Sequence, residues 1–142
     1  GLETLAVRMK QYCKNAQAVA EYFAKSDKIE SVTYPTIADG EQKALADKYL
    51  PDGASGVISF TIKGGRDAAM RFMDNLELAS NVVHVADIRT CVLHPASETH
   101  RQLTEEQLKA AGIDGGMVRF SVGLENIDDI MEDLKQALDA VK

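Results

Sequence analysis

The sequence predicts an α+β domain: a sheet of four or five mostly antiparallel strands with helices packed on one face. Three observations carry that prediction. Leu2, Leu5, Met9, Tyr12, Ala16, Val19 and Phe23 recur at steps of three and four, the period of a helix with one apolar face. Between residues 56 and 63, Ile58, Phe60 and Ile62 alternate with Val57, Ser59 and Thr61, the period of a strand. Helical and strand-like stretches are mixed along the chain and joined by short turns, with no internal repeat.

Taken in order, residues 2–25 are one long helix. Residues 31–34 form a short strand closed by Pro35, and 41–49 a second helix stopped by Pro51. Gly64-Gly65 turns strand 56–63 into a helix over 66–76. Two β-prone stretches follow, 81–85 and 88–93, and 94–103 reads as a loop. Thr104 stands three residues before Gln107, a capping-box pattern that opens a short helix ending near Gly112. Residues 117–122 are the last strand. Asn126 suits the cap of the final helix, with Asp128 and Asp129 at its positive end. Ile127, Ile130, Met131, Leu134, Leu138 and Val141 make that helix's buried stripe.

With 142 residues, 45% of them hydrophobic, the chain can bury one sizeable core. Its net charge is −6 and the 16 Lys and Arg are scattered. A duplex-binding surface needs a basic stripe, so nucleic acid is not an expected partner. Cys13 and Cys91 form neither a CxxC pair nor a zinc spacing. No metal site and no disulfide framework are expected, and a reducing cytoplasm is the expected setting. The first residues carry no signal-peptide pattern and no stretch is apolar for membrane length, so no membrane association is expected. The chain begins without Met, which is compatible with a fragment.

Few residues hint at chemistry. In Met117-Val118-Arg119-Phe120-Ser121-Val122, period two puts Val118, Phe120 and Val122 on one face and turns Arg119 and Ser121 away. A guanidinium grips a carboxylate through two parallel hydrogen bonds, yet the same pattern describes a solvated Arg on an open face. The loop His94-Pro95-Ala96-Ser97-Glu98-Thr99-His100 crowds two His with Ser and Thr. Its His spacing of six does not suit zinc, and a Ser/His nucleophile pair would lack its elbow. A polar loop bonded to its own backbone is the alternative. Lys63-Gly64-Gly65 before a helix could hold phosphate, but turn glycines explain it as well. His84 lies among Val82, Val83 and Val85, where alternation turns it away from the core. Pattern by itself stops at an α+β domain.

Order and spacing add more. His94-Pro95-Ala96-Ser97-x-Thr99-His100, Ala111-Gly112-Ile113, Arg119-Phe120-Ser121-Val122-Gly123-Leu124-Glu125 and Asp128-Asp129-Ile130 resemble the Cys/Met-metabolism family of pyridoxal-phosphate (PLP) enzymes. Residues 1–9 and 56–65 fit the same family. The resemblance covers essentially the whole chain and the last third of a family member. It implies residues 1–142 as a single carboxy-terminal, substrate-binding domain, following a PLP-binding domain that is absent here. In Arg-x-Ser-Val-Gly the Arg is the family's carboxylate ligand, so the resemblance gives Arg119 that role. His84-Val85-Ala86 stands where lyases and cystathionine synthases carry Ser-Leu-Gly, and where sulfhydrylases often begin with Asn. That stretch helps hold the carboxylate, which makes His84 a second substrate-binding candidate. None of the ten lysines sits in a Schiff-base setting, so no catalytic or cofactor-binding residue is assigned to this chain.

The implied activity is exchange of the acetate of O-acetyl-L-homoserine for sulfide or a thiol, with PLP as the cofactor. The implied partner is an amino-acid substrate. The full enzyme is expected to be a homotetramer, and the isolated domain could be an inactive monomer. A cystathionine γ-synthase or γ-lyase, and a non-catalytic amino-acid-binding regulatory domain, are the alternatives.

Overall fold

A computed structural model describes residues 1–141, save the side chain of Glu105. A 3-10 turn at Leu2–Thr4 leads into α1 (Leu5–Lys25), then β1 (Ile29–Thr33) and a 3-10 turn at Pro35–Ile37. There follow α2 (Gly40–Tyr49), β2 (Val57–Ile62), α3 (Gly65–Asp74), β3 (Ser80–Asn81) and β4 (Cys91–Leu93). The chain continues through α4 (Glu105–Ala110), β5 (Met117–Ser121) and α5 (Ile127–Asp139). The five strands lie in the order β1-β2-β5-β4-β3. Pairs β1/β2, β2/β5 and β4/β5 are antiparallel, and β3/β4 is parallel. The α+β sheet is therefore mixed but mostly antiparallel, as expected.

Alternation decides which sheet face is apolar. Ile58, Phe60 and Ile62 of β2 and Val118, Phe120 and Val122 at β5 are all buried. Against them pack α1, α3 and α5, which bring Ala16, Val19, Phe23, Ala69, Phe72, Leu134 and Leu138 into one core. Phe60 is its hub: its ring lies 4.2 Å from that of Phe23 and meets Phe72 and Phe120 edge-on. Such contacts stabilise beyond the burial of area, by about 0.5–1.5 kcal/mol each. The capping box at α4 is present in full, with Thr104 Oγ1 accepting from the Gln107 N–H and Gln107 Oε1 from the Thr104 N–H. Asn126 caps α5 through the Asp128 N–H. No described helix is long and apolar enough to cross a membrane.

Four expectations need correction. The predicted stripe of α1 is buried only from Tyr12 onward, because the sheet does not extend beneath the first turns; Leu2 is 84% exposed. β1 begins two residues earlier than its Val and Tyr suggested, since Ile29 pairs with Ile62 across a bulge. The helix after Gly64-Gly65 stops at Asp74, short of 76. The β-prone stretches 81–85 and 88–93 are mostly not strand: only Ser80–Asn81 and Cys91–Leu93 pair. Between them the chain leaves the ladder and runs open, with Val83, Val85 and Ile88 exposed. Backbone bonds there are isolated, the Val82 N–H to the Val92 carbonyl at 3.1 Å and the Leu124 N–H to the Ile88 carbonyl at 2.8 Å, and strand propensity without a continuous partner builds no ladder.

Candidate functional site

β5 is the central strand, so its side chains alternate strictly between two faces. Phe120 points into the core, while Arg119 and Ser121 point to the opposite face. Arg119 stands between Ser59 of β2 and Leu93 of β4, its partners across the two ladders. Over this face lies the irregular segment 82–90. The Arg119 Nη2 donates to the carbonyls of Val83 (2.8 Å) and His84 (3.3 Å). Its Nε is buried and has no hydrogen-bond partner among the described residues. An orphaned buried donor on a cation is costly, about 1–3 kcal/mol or more, and is best satisfied by an anion.

Two residues on, the Ser121 hydroxyl accepts the Ala86 N–H at 3.0 Å, and Ser121 is fully buried. Ala86 has a φ of 59°, the left-handed region that a Cβ disfavours. Two residues further, the Gly123 N–H donates to the Thr90 hydroxyl at 3.0 Å. Two further again, Glu125 accepts both the Thr90 N–H (2.6 Å) and the Thr90 hydroxyl (2.9 Å). From below, the Asn15 amide of α1 donates to the carbonyls of Gly123 and Glu125, both at 3.0 Å. Arg119, Ser121, Gly123 and Glu125 thus stand at every second position and all fasten one segment, 83–90.

The two residues expected to bind substrate, Arg119 and His84, do come together, but through the His84 backbone. The His84 side chain is exposed, and its Nδ1 lies 3.4 Å from the Asp87 carboxylate. Asp87 also accepts the Arg89 backbone N–H at 3.1 Å and pairs with the Arg89 guanidinium at 3.6 Å. The Arg89 N–H foremost, then its guanidinium and the His84 ring, hold the Asp87 carboxyl below the usual range.

The other sequence candidates resolve to structure. His94 is fully buried; its Nε2 lies 2.7 Å from the Gly115 carbonyl and its Nδ1 2.8 Å from the Ser97 hydroxyl. A carbonyl only accepts, so Nε2 carries a proton, while Nδ1 is taken up by the Ser97 hydroxyl. That locks the 94–97 turn and leaves no base for a nucleophile. Gly64 and Gly65 adopt φ of 99° and 67°, which explains the glycine pair as a turn. No metal-binding cluster exists among the described residues. The Cys91 thiol is pushed up by burial, as is that of Cys13.

No described lysine is buried. Lys28 donates to the Leu138 and Val141 carbonyls, and Lys63 to that of Asp27. Among the described residues, the Arg119 guanidinium is the group whose chemistry suits a carboxylate. Sequence reading missed Ser121, Thr90, Asp87 and Glu125 as parts of this site. Ser121 had a signal, since it shares the face of Arg119. The Thr90 and Glu125 contact had none, because it joins residues 35 apart.

The family described as Cys/Met metabolism PLP-dependent enzyme matches residues 1–139. An O-acetyl-L-homoserine sulfhydrylase of Leptospira meyeri is 47% identical over 139 residues, 97% of this chain and 31% of that protein. An L-methionine gamma-lyase of Porphyromonas gingivalis is 44% identical, over 99% of this chain and 35% of its own. A solved chain described as an O-acetylhomoserine (thiol)-lyase of Campylobacter jejuni, carrying N'-pyridoxyl-lysine-5'-monophosphate, superposes with a TM-score of 0.89 at 42% identity. The superposition covers 97% of this chain and 33% of that one. The chain spans about a third of the length of the curated relatives it matches.

Proposed function

The chain belongs to the Cys/Met-metabolism family of PLP-dependent enzymes, and from that premise we propose that it is the carboxy-terminal, substrate-carboxylate-binding domain of a larger cytoplasmic enzyme. The reaction proposed is conversion of O-acetyl-L-homoserine and sulfide, or a small thiol, to homocysteine, or methionine, plus acetate. The observation that carries this reading is the Arg119 guanidinium, held by two loop carbonyls with its buried Nε–H unpaired. The sulfhydrylase likeness at 47% identity supports the choice of reaction.

Bound PLP supplies an electron sink for the bond-breaking steps. This chain's residues bind and orient. The Val83 and His84 carbonyls fix the guanidinium plane. Arg119 then takes the α-carboxylate and sets the direction of the Cα–H bond. Such orientation contributes up to about 7–11 kcal/mol in the most favourable cases. The cofactor's lysine is assigned to the part of the enzyme outside this chain, so the isolated chain is expected to turn over nothing. The full enzyme is expected to be a homotetramer, and the isolated domain could be a monomer.

In the full-length enzyme, Arg119→Ala is expected to lower kcat/KM for O-acetyl-L-homoserine at least tenfold. Arg119→Lys recovers little, because an ammonium lacks the planar fork. An unchanged kcat/KM in Arg119→Ala overturns the assignment. The methionine gamma-lyase likeness at 44% identity supports a γ-lyase as the second reading. Product analysis separates them: acetate with a new thioether or thiol for the transferase, ammonia with a 2-oxo acid for the lyase.

A further inference from the structure

We propose that Ser121 is a positioning residue for the carboxylate anchor, acting on Arg119 through the backbone of residues 83–86. The inference rests on the carboxylate-binding reading of Arg119.

Three observations carry it. Ser121 is fully buried, yet its hydroxyl takes part in a bond to a segment that is otherwise exposed, the Ala86 N–H at 3.0 Å. That bond falls on the one non-glycine residue with positive φ among the described residues. An alanine in the left-handed region returns to extended or helical backbone unless something holds it. The same segment, two and three residues earlier, presents the carbonyls that accept from Arg119 Nη2. The Val82 N–H, bonded to the Val92 carbonyl at 3.1 Å, holds these carbonyls from one side and Ala86 from the other, so releasing Ala86 loosens them and with them the plane of the guanidinium. The Thr90 clamp made by Glu125 fixes the far end of the segment but does not reach the carbonyl end. Apart from Arg119 itself, Ser121 is the β5 side chain bonded nearest to those carbonyls.

Ser121 touches no substrate, so its effect passes entirely through Arg119. The test is a double-mutant cycle in the full-length, PLP-loaded enzyme, with O-acetyl-L-homoserine and sulfide. Ser121→Ala is expected to lower kcat/KM about fivefold or more, chiefly through KM. Arg119→Ala lowers it at least tenfold, and the double variant is expected within about twofold of Arg119→Ala alone. A merely structural loss would instead multiply. Ser121→Cys keeps the side-chain size with a poor acceptor and is expected to match Ser121→Ala, which covers the case in which Ser121→Ala fails to fold.

If Arg119→Ala loses activity and both Ser121 variants stay within twofold of wild type, the positioning role fails while the carboxylate reading stands. Multiplicative loss in the double variant also overturns it. If Arg119→Ala itself is neutral, the underlying reading fails.

Discussion

Glu125 holds Thr90 by two bonds at once, accepting the backbone N–H at 2.6 Å and the hydroxyl at 2.9 Å. The Thr90 hydroxyl in turn accepts the Gly123 N–H. This is where the turn after β5 is tied to the start of β4, and it fixes the exit of the segment over Arg119. Thr90 is fully buried, so its groups have no water to fall back on.

Glu125→Ala is therefore expected to destabilise the chain by about 2–3 kcal/mol, the cost of orphaned buried donors. Glu125→Gln keeps one acceptor and is expected to lose less. Urea unfolding of the two variants measures both, and equal stability of Glu125→Ala and wild type would contradict the role.

Gly123 lets two backbones approach. A Cβ built there meets the Arg89 carbonyl carbon and the Thr90 nitrogen, each at 2.5 Å, as well as the Glu125 carboxylate. Backbone cannot swing aside as a side chain can. Gly123→Ala is expected to cost about 3 kcal/mol or to prevent folding, at the upper end of overpacking effects. A thermal melt within a degree of wild type overturns this.

Asp133 of α5 is buried, and its carboxylate accepts three consecutive backbone N–H groups: Glu77 at 2.7 Å, Leu78 at 3.1 Å and Ala79 at 2.9 Å. It serves as the anchor for the entry into β3. Asp133→Ala is expected to destabilise by about 2–4 kcal/mol, less than three full bonds because Glu77 and Leu78 can reach water. Amide exchange at Ala79, the buried member, should rise most; unchanged protection there counts against the anchor.

Asp87 gives a pH signature. Its folded-state pKa lies below the ordinary value, so its contribution is present above the unfolded pKa and is lost as pH falls through the folded one. The contact between His84, Asp87 and Arg89 should persist through the ordinary carboxylate range and open only below it. Carboxyl-carbon NMR should place the Asp87 midpoint below the usual carboxylate range and move it up in Arg89→Ala. Part of the lowering survives that change, because the Arg89 backbone N–H remains. An ordinary midpoint in wild type rejects the contact.

Much of the architecture was legible in the sequence because it depends on local periods. The 3.6-residue stripe of α5, the two-residue alternation of β2 and β5, and the Thr104 and Asn126 caps each act within a few residues. The same alternation turned Arg119 and Ser121 to one face. Resemblance in the motif around Arg119 identified the family, which the matching of residues 1–139 bears out.

The sequence by itself determined the elements, the apolar face of the sheet and the family. Only the tertiary structure decided what covers Arg119. The run of valines at 82, 83 and 85 carries strand propensity, but the pairing with β4 ends at the Val82 N–H, which donates to the Val92 carbonyl, and residues 83–85 join no ladder. Contacts between residues 33 to 36 apart fix that segment instead: Arg119 with Val83 and His84, Ser121 with Ala86, Gly123 and Glu125 with Thr90. No local period encodes them, because they exist only once β5 sits beside β4 and the chain has closed around it.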